Sequence, residues 1–245
     1  VNQVVIEQIN DNAPDWLKRV DFAFDYESAA DPTYSILTVQ PLYQSPGNIN
    51  TVFTQLRYAS HRQFDEIRNT TNIGVGYREL IQNGTMLVGA NIHYDREWKR
   101  NHYRLGIGVE ARWSGADIYL NRYQGLSSKR TITSSVTEAI IDGWDLRALI
   151  QMPYIPSARL TLAGSTWRKT SSDDISGLRA GIEADLSPHL TFEIGAANDN
   201  DDNDVEMFVG IRFNLGGDNA NNNLLLQKNF VADTPWHLRD MSKHT

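Results

Sequence analysis

The stretch His102-Tyr-Arg-Leu-Gly-Ile-Gly-Val-Glu-Ala-Arg-Trp-Ser-Gly-Ala-Asp-Ile-Tyr-Leu-Asn-Arg-Tyr123 decides the fold. Tyr103, Leu105, Ile107, Val109, Ala111 and Trp113 alternate with His102, Arg104, Gly106, Gly108, Glu110 and Arg112, so one face is apolar and the other is charged or bare. Side chains of a strand point alternately to opposite faces, and a period of two held this long describes a ribbon with two unlike surroundings. Its length matches the roughly 9–11 residues of a tilted bilayer crossing and exceeds the ordinary strand of about 5–6. Ser114-Gly115 then turns the chain, and Ala116, Ile118 and Leu120 resume opposite Asp117, Tyr119 and Asn121 as the second limb of a hairpin.

The same period recurs on both sides of this hairpin. Val20, Phe22, Phe24 and Tyr26 oppose Asp21, Ala23 and Asp25; Thr71, Ile73, Val75 and Tyr77 oppose Asn72, Gly74, Gly76 and Arg78. Met86 to Tyr94, Trp144 to Ile150, Leu178 to Asp185 and Val205 to Leu215 repeat it, and weaker segments lie near Leu37–Tyr43, Phe53–Ala59, Ala158–Leu162 and Leu190–Ala196. Together they predict an all-β chain: a transmembrane, antiparallel, up-and-down β-barrel of about twelve strands with a polar lumen, an even number as single-chain bacterial barrels have.

A soluble sandwich or barrel would show the same alternation with its apolar face turned inward, so alternation alone does not place the lipid. Strand length is one discriminator. Aromatic placement is a second: Tyr103 and Trp113 bracket their apolar stripe, and Tyr94, Trp144 and Phe213 sit near the ends of theirs, where a bilayer interface holds rings with a polar handle. The connections are a third. Those near Gln44–Asn50, Gln82–Gly84, Ser114–Gly115, Pro153–Ser157 and Ser187–His189 are mostly short, whereas those near Glu27–Thr33, His61–Arg68, Asp95–Asn101, Gly125–Ser135, Lys169–Ser176 and Asn198–Asp204 read as longer and more charged. Short turns on one rim and long loops on the other are the outer-membrane pattern.

Composition sets further bounds. With 40% hydrophobic residues and a mean hydropathy of −0.44 there is no apolar run long enough for a transmembrane helix. Cysteine is absent, which forbids disulfides and thiolate metal sites, and the net charge of −7 without a basic block argues against nucleic acid. No signal peptide is visible and the chain begins at Val1, so it reads as processed or cut from something longer. The expected organisation is a periplasmic lead over residues 1–15, a barrel over 16–217, and a polar tail over 218–245 that threads the lumen.

Motifs for chemistry are weak. Gly106-Ile-Gly108-Val-Glu-Ala111 has the spacing of a dinucleotide fingerprint but lies mid-strand, where no helix N-terminus can meet pyrophosphate. Its glycines are expected to let a luminal segment or a large neighbouring side chain approach the wall. Asp199, Asp201 and Asn203 echo a Ca²⁺ loop, yet Asp204 and Gly210 occupy the positions of its glycine and bidentate glutamate. The six histidines show no ligand spacing, and there is no nucleophile motif. The reading therefore assigns no catalytic, cofactor or metal residue and no enzymatic activity. The candidate functional residues are lumen-lining: Arg104, Glu110, Arg112, Asp145, Arg147, Arg179, Glu183 and Arg212, whose mixed signs suit ion-pair networks.

Several linked segments resemble one family. Tyr34-Ser-Ile-Leu-Thr-Val-Gln-Pro-Leu-Tyr-Gln-Ser45, Asn72-Ile-Gly-Val-Gly-Tyr-Arg78, Met86-Leu-Val-Gly-Ala-Asn-Ile-His-Tyr-Asp-Arg96, the opening stretch from His102 to Asp117, Asn121-Arg-Tyr-Gln-Gly125, Asp142-Gly-Trp-Asp145 and Phe208-Val-Gly-Ile-Arg-Phe-Asn-Leu-Gly216 are similar to the β-domain of the intimin and invasin family, the inverse autotransporters. The resemblance covers roughly residues 16–216. It implies a twelve-stranded barrel in the bacterial outer membrane that anchors a C-terminal passenger and carries it through its own pore to the surface. It also implies partners: outer-membrane lipid, the chain's own linker or passenger, the barrel-assembly machinery and periplasmic chaperones. Family members usually continue into adhesive domains, whereas this sequence runs to Thr245, so either the passenger lies beyond it or the member is a short one. The alternative function is a self-contained barrel acting as a passive channel or structural protein.

Overall fold

A computed structural model describes residues 13–28, 31–63, 66–133, 136–168, 173–200 and 204–216. The opening stretch forms the expected hairpin, His102–Trp113 (β6) and Ala116–Gly125 (β7), with Trp113 opposite Ala116 around Ser114-Gly115. Before it come Val20–Glu27 (β1), Thr33–Gln44 (β2), Asn50–Gln63 (β3), Glu66–Ile81 (β4) and Met86–Glu97 (β5). After it come Arg130–Thr133 (β8), Val136–Glu138 (β9), Gly143–Gln151 (β10), Ala158–Trp167 (β11), Ile175–Ser187 (β12), Leu190–Asp199 (β13) and Val205–Asn214 (β14). One helical turn, Asp15–Lys18 (α1), precedes β1 and is tied to β2, where Gln40 Nε2 donates to the Trp16 carbonyl at 2.8 Å.

Twelve of these strands close into a barrel in which sequence neighbours pair antiparallel. The exception is β7, which pairs with β10 because β8 and β9 form a separate two-stranded hairpin in the connection between them. Closure is made by β1 against β14, from Asp21 opposite Asn214 to Glu27 opposite Phe208. At that seam Asn214 Nδ2 donates to Asp21 Oδ1 at 2.5 Å, the Asn214 backbone N–H donates to the His189 carbonyl at 2.8 Å, and Leu215 N–H donates to the Val20 carbonyl at 3.0 Å. The chain therefore enters and leaves the barrel at the same rim, the one carrying the short turns.

The opposite rim departs from the sequence expectation. The connection placed near His61–Arg68 is almost entirely strand: pairing runs on to Gln63 opposite Glu66, so β3 and β4 reach 14 and 16 residues. Those lengths exceed a bilayer crossing, and the pair stands beyond its neighbours. His61 and Arg68 lie on the inward face of these strands, in step with Ala59 and Thr70, and polarity alone made the segment read as loop. The Asp95–Asn101 connection is likewise reduced to residues 98–101 between β5 and β6. The expected contrast of long and short connections thus rests chiefly on the segment between β7 and β10.

The two faces of the wall are sorted inside out relative to a soluble barrel. Ile73, Ile92, Ile107, Val109, Leu146 and Ile182 are exposed outward, while Arg78, Asp95, Arg104, Glu110, Asp145 and Glu183 are buried within. Exposed aromatics, among them Tyr43, Trp113, Tyr34, Trp144 and Trp98, stand toward or just past the strand ends. Apolar surface of this extent is unfavourable in water and is matched by a hydrocarbon layer. Arginine in place of Ile107, which is 54% exposed and midway along β6, should cost about 2–4 kcal/mol in folding titrations in lipid vesicles. A negligible penalty would show that this face does not meet lipid.

Candidate functional site

The luminal face carries three groups of paired charges. On β4 to β7, Arg78 is fully buried: its Nε donates to Glu110 Oε1 at 2.6 Å and its guanidinium lies 4.5 Å over the Phe53 ring. Arg112 meets the other oxygen of Glu110 at 3.1 Å. Arg104 donates to Asp95 at 2.7 Å, Asn72 donates to the same carboxylate, and the Arg104 guanidinium sits 4.3 Å over Tyr123. Asp145 accepts from Asn121 at 2.9 Å and from the Tyr123 hydroxyl. On β10 to β14, Glu183 is a hub for Arg159, for Arg212 at 3.4 Å and for Arg147 at 3.8 Å, while Arg147 also reaches Glu193 at 3.7 Å. Across the closing seam, Arg179 pairs with Glu27 at 2.5 Å and lies 3.2 Å over Phe208.

A further group closes part of the mouth at the rim opposite the start of β1 and the end of β14. Glu138, at the end of β9, is buried between Arg68 of β4, which binds it through both guanidinium nitrogens, Arg100 at 3.8 Å and His102 at 3.9 Å. The chain then runs inward: Ala139 and Ile141 are buried, Asp142 accepts from Gly125 N–H at 2.9 Å, and Arg168 N–H donates to the Asp142 carbonyl at 2.8 Å. Beneath it, Tyr123, Ile141, Trp167 and Ile175 form an apolar cluster. Trp167 can lie there because Gly143 opposite it has no side chain; a Cβ at that position would stand 2.2 Å from the ring.

The structure places Arg104, Glu110, Arg112, Asp145, Arg147 and Glu183 buried on the inner face, and Arg179 and Arg212 partly exposed there. It brings Arg147, Glu183 and Arg212 together, joins Glu110 to Arg112, and links Arg104 to Asp145 through Tyr123. The site list missed Arg78, Asp95, Arg159 and Glu193, which the alternation itself could have supplied. It also missed Arg68 and Glu97, which lie in segments read as loops, and Glu138, which follows the connection read as Gly125–Ser135. Gly106 does admit a neighbour: a Cβ there would stand 1.9 Å from the His93 ring. No group of three or more His, Asp or Glu suited to a metal occurs among the described residues, and Asp201 and Asn203 of the acidic loop lie outside them.

Comparison with known proteins assigns this architecture. The family model described as inverse autotransporter, beta-domain, matches residues 1–236. The chain belongs to the inverse autotransporter β-domain family. A putative attaching and effacing protein homolog of Escherichia coli K12 is 32% identical over 130 residues, which are 52% of this chain and 42% of that protein. The inverse autotransporter adhesin YeeJ of the same organism is 30% identical over 150 residues, 58% of this chain and 6% of YeeJ. The chain thus spans less than half of each of these relatives. A barrel solved in a study of in-meso crystallization of membrane proteins superposes with a TM-score of 0.69 at 19% identity, covering 79% of this chain and 82% of that one. This inverse autotransporter β-domain resides in the bacterial outer membrane, its apolar belt in lipid and its charges turned to the lumen.

Removing the Glu138 carboxylate should release the β7–β10 connection, because Arg68 would be left buried with Glu97 as its remaining carboxylate, 3.9 Å away. Breaking a fully buried pair costs about 3–5 kcal/mol, an upper bound at a rim that water reaches. In Glu138→Ala, trypsin should cut at Lys129 or Arg130 at least about tenfold faster while the barrel stays folded. Unchanged cleavage would show that other contacts hold the segment.

Proposed function

We propose that this β-domain is the translocator and membrane anchor of an adhesin, exporting and displaying a passenger that follows it in the chain. The observation that carries this reading is the pairing of β1 with β14, which puts the end of the barrel at the rim where the barrel began. A chain leaving Asn214 reaches the other side of the membrane only through the lumen. The inner wall suits such a path: its arginines and carboxylates are largely paired with each other, so a polar strand can slide past without meeting a strong fixed charge. Residues 218–245 lie outside the described residues, yet their 28 residues, extended to about 90 Å, exceed a membrane of about 40–45 Å.

In this reading the rim of short turns faces the periplasm and the opposite rim faces the exterior. The partners are outer-membrane lipid, the linker or passenger itself, the barrel-assembly machinery and periplasmic chaperones. The role is transport and anchoring, with no enzymatic step. An epitope inserted at Asp173, between β11 and β12, should be reached by antibody on intact cells; labelling only after the outer membrane is opened would reverse the topology. In planar bilayers the full chain should conduct poorly and a version ending at Gly217 should conduct well. Equal, open conductance in both would favour a passive channel instead.

A further inference from the structure

Arginine on the outside of a membrane barrel needs a reason, because a charge there faces lipid. Arg96 follows Ile92 and Tyr94 on the outward side of β5, while Asp95 and Glu97 point inward. It lies four residues beyond Ile92, about 13 Å along a strand and about 10 Å along the membrane normal at a tilt of 35–45°. From the mid-strand level that Ile92 shares with Ile107, this is just inside the edge of an apolar band about 25 Å tall, and the long arginine side chain reaches the headgroups from there.

What holds Arg96 is aromatic and neutral. Its guanidinium lies 3.9 Å over Trp98 and 5.5 Å from Tyr103, Nη2 donates to Asn101 Oδ1 at 3.0 Å, and Nε meets no acceptor. The support is itself fixed: Trp98 Nε1 donates to Thr71 Oγ1 at 2.7 Å, the Tyr103 hydroxyl donates to Asn101 Oδ1 at 2.5 Å, and Tyr103 stacks on Tyr94 at 5.8 Å. Each luminal arginine described above has a carboxylate within 4 Å, and Arg96 has none among the described residues. Arg62 is exposed on the outward side of β3 and forms no ion pair with any described residue. Arg62 stands opposite Ile67 and Arg96 opposite Thr71, so the two are offset by four residues along β4, about 13 Å, and by two strand spacings across it, about 10 Å, which puts their backbones about 16 Å apart. Nearby carboxylates are engaged elsewhere: Glu66 with Lys99 at 3.9 Å and Arg100 at 2.7 Å, and Glu97 with the backbone N–H groups of Lys99 and Arg100 at 2.7 Å.

A guanidinium is planar, weakly hydrated and matched to phosphate, and stacking on a ring orients it without neutralising it. At headgroup level the anion on offer is lipid phosphate. We propose that Arg96, held over Trp98 and beside Tyr103, and Arg62, further along the strands toward the rim, bind the phosphate-bearing headgroup of a lipid in the leaflet around this rim. The site rests on the membrane-spanning reading and not on which rim faces the exterior, so the epitope result and the lipid result stand independently.

Native mass spectrometry of the purified full chain would compare bisphosphorylated lipid A with the same lipid stripped of its phosphates. The phosphorylated lipid should bind more tightly, and Arg96→Gln and Arg62→Gln should each reduce that preference about fivefold. Lys18→Gln, at the other rim, should leave it unchanged. Absence of a preference in the native chain, an equal loss in Lys18→Gln, or displacement of the lipid by equimolar inorganic phosphate would each overturn the proposal. If one arginine variant fails to fold, the other variant against Lys18→Gln still decides.

Discussion

Backbone hydrogen bonding without water is the constraint from which the rest of this structure follows. In hydrocarbon an open sheet edge leaves donors and acceptors unpaired at several kcal/mol each, so the first and last strands must find one another. The pairing of β1 with β14 meets that requirement, and in doing so fixes an even strand count and brings the start of β1 and the end of β14 to one rim. The inverted sorting of side chains is a second consequence. Once the outside is lipid, most charged residues of the membrane-crossing strands are confined to the inner face, where they meet one another.

Confinement explains why those charges pair. Ions facing a narrow, partly dry lumen are stable when each finds a counter-charge across the wall, and the register supplies some of these directly: Asp95 lies opposite Arg104, and Glu183 lies opposite Arg159. Such pairs add little net stability compared with apolar packing, but they penalise slippage, since a one-residue shift would turn every charge into the bilayer. The paired wall is thus a register device as much as a lining.

The barrel was legible wherever strands cross lipid, because only there do two solvents impose a strict period of two. The opening hairpin, with Arg104, Glu110 and Arg112 on one side and Ile107 and Val109 on the other, needed nothing beyond alternation. Legibility ended at the rims. Beyond the hydrocarbon both faces of β3 and β4 meet headgroups, water or protein, the alternation loses its meaning, and His61 to Arg68 read as loop although pairing continues. Glu138 was invisible for a related reason: its partners Arg68, Arg100 and His102 are brought to it by closure of the barrel, and no local spacing in Val136–Glu138 announces a buried carboxylate.

The backbone around Asn214 has a mechanical meaning. Asn214 is bonded on one side to Asp21 and on the other to His189, whose ring nitrogen also lies 2.8 Å from the Asn214 carbonyl, and Gly216 N–H folds back onto the Asn214 side chain at 2.9 Å. Tension arriving along the chain from beyond Gly216 would therefore load β1 and the turn before β13 together. A barrel gripping its last strand from both flanks can serve as a tether: drag on whatever is joined to it is shared around the hoop of strands, and no single edge is offered for peeling.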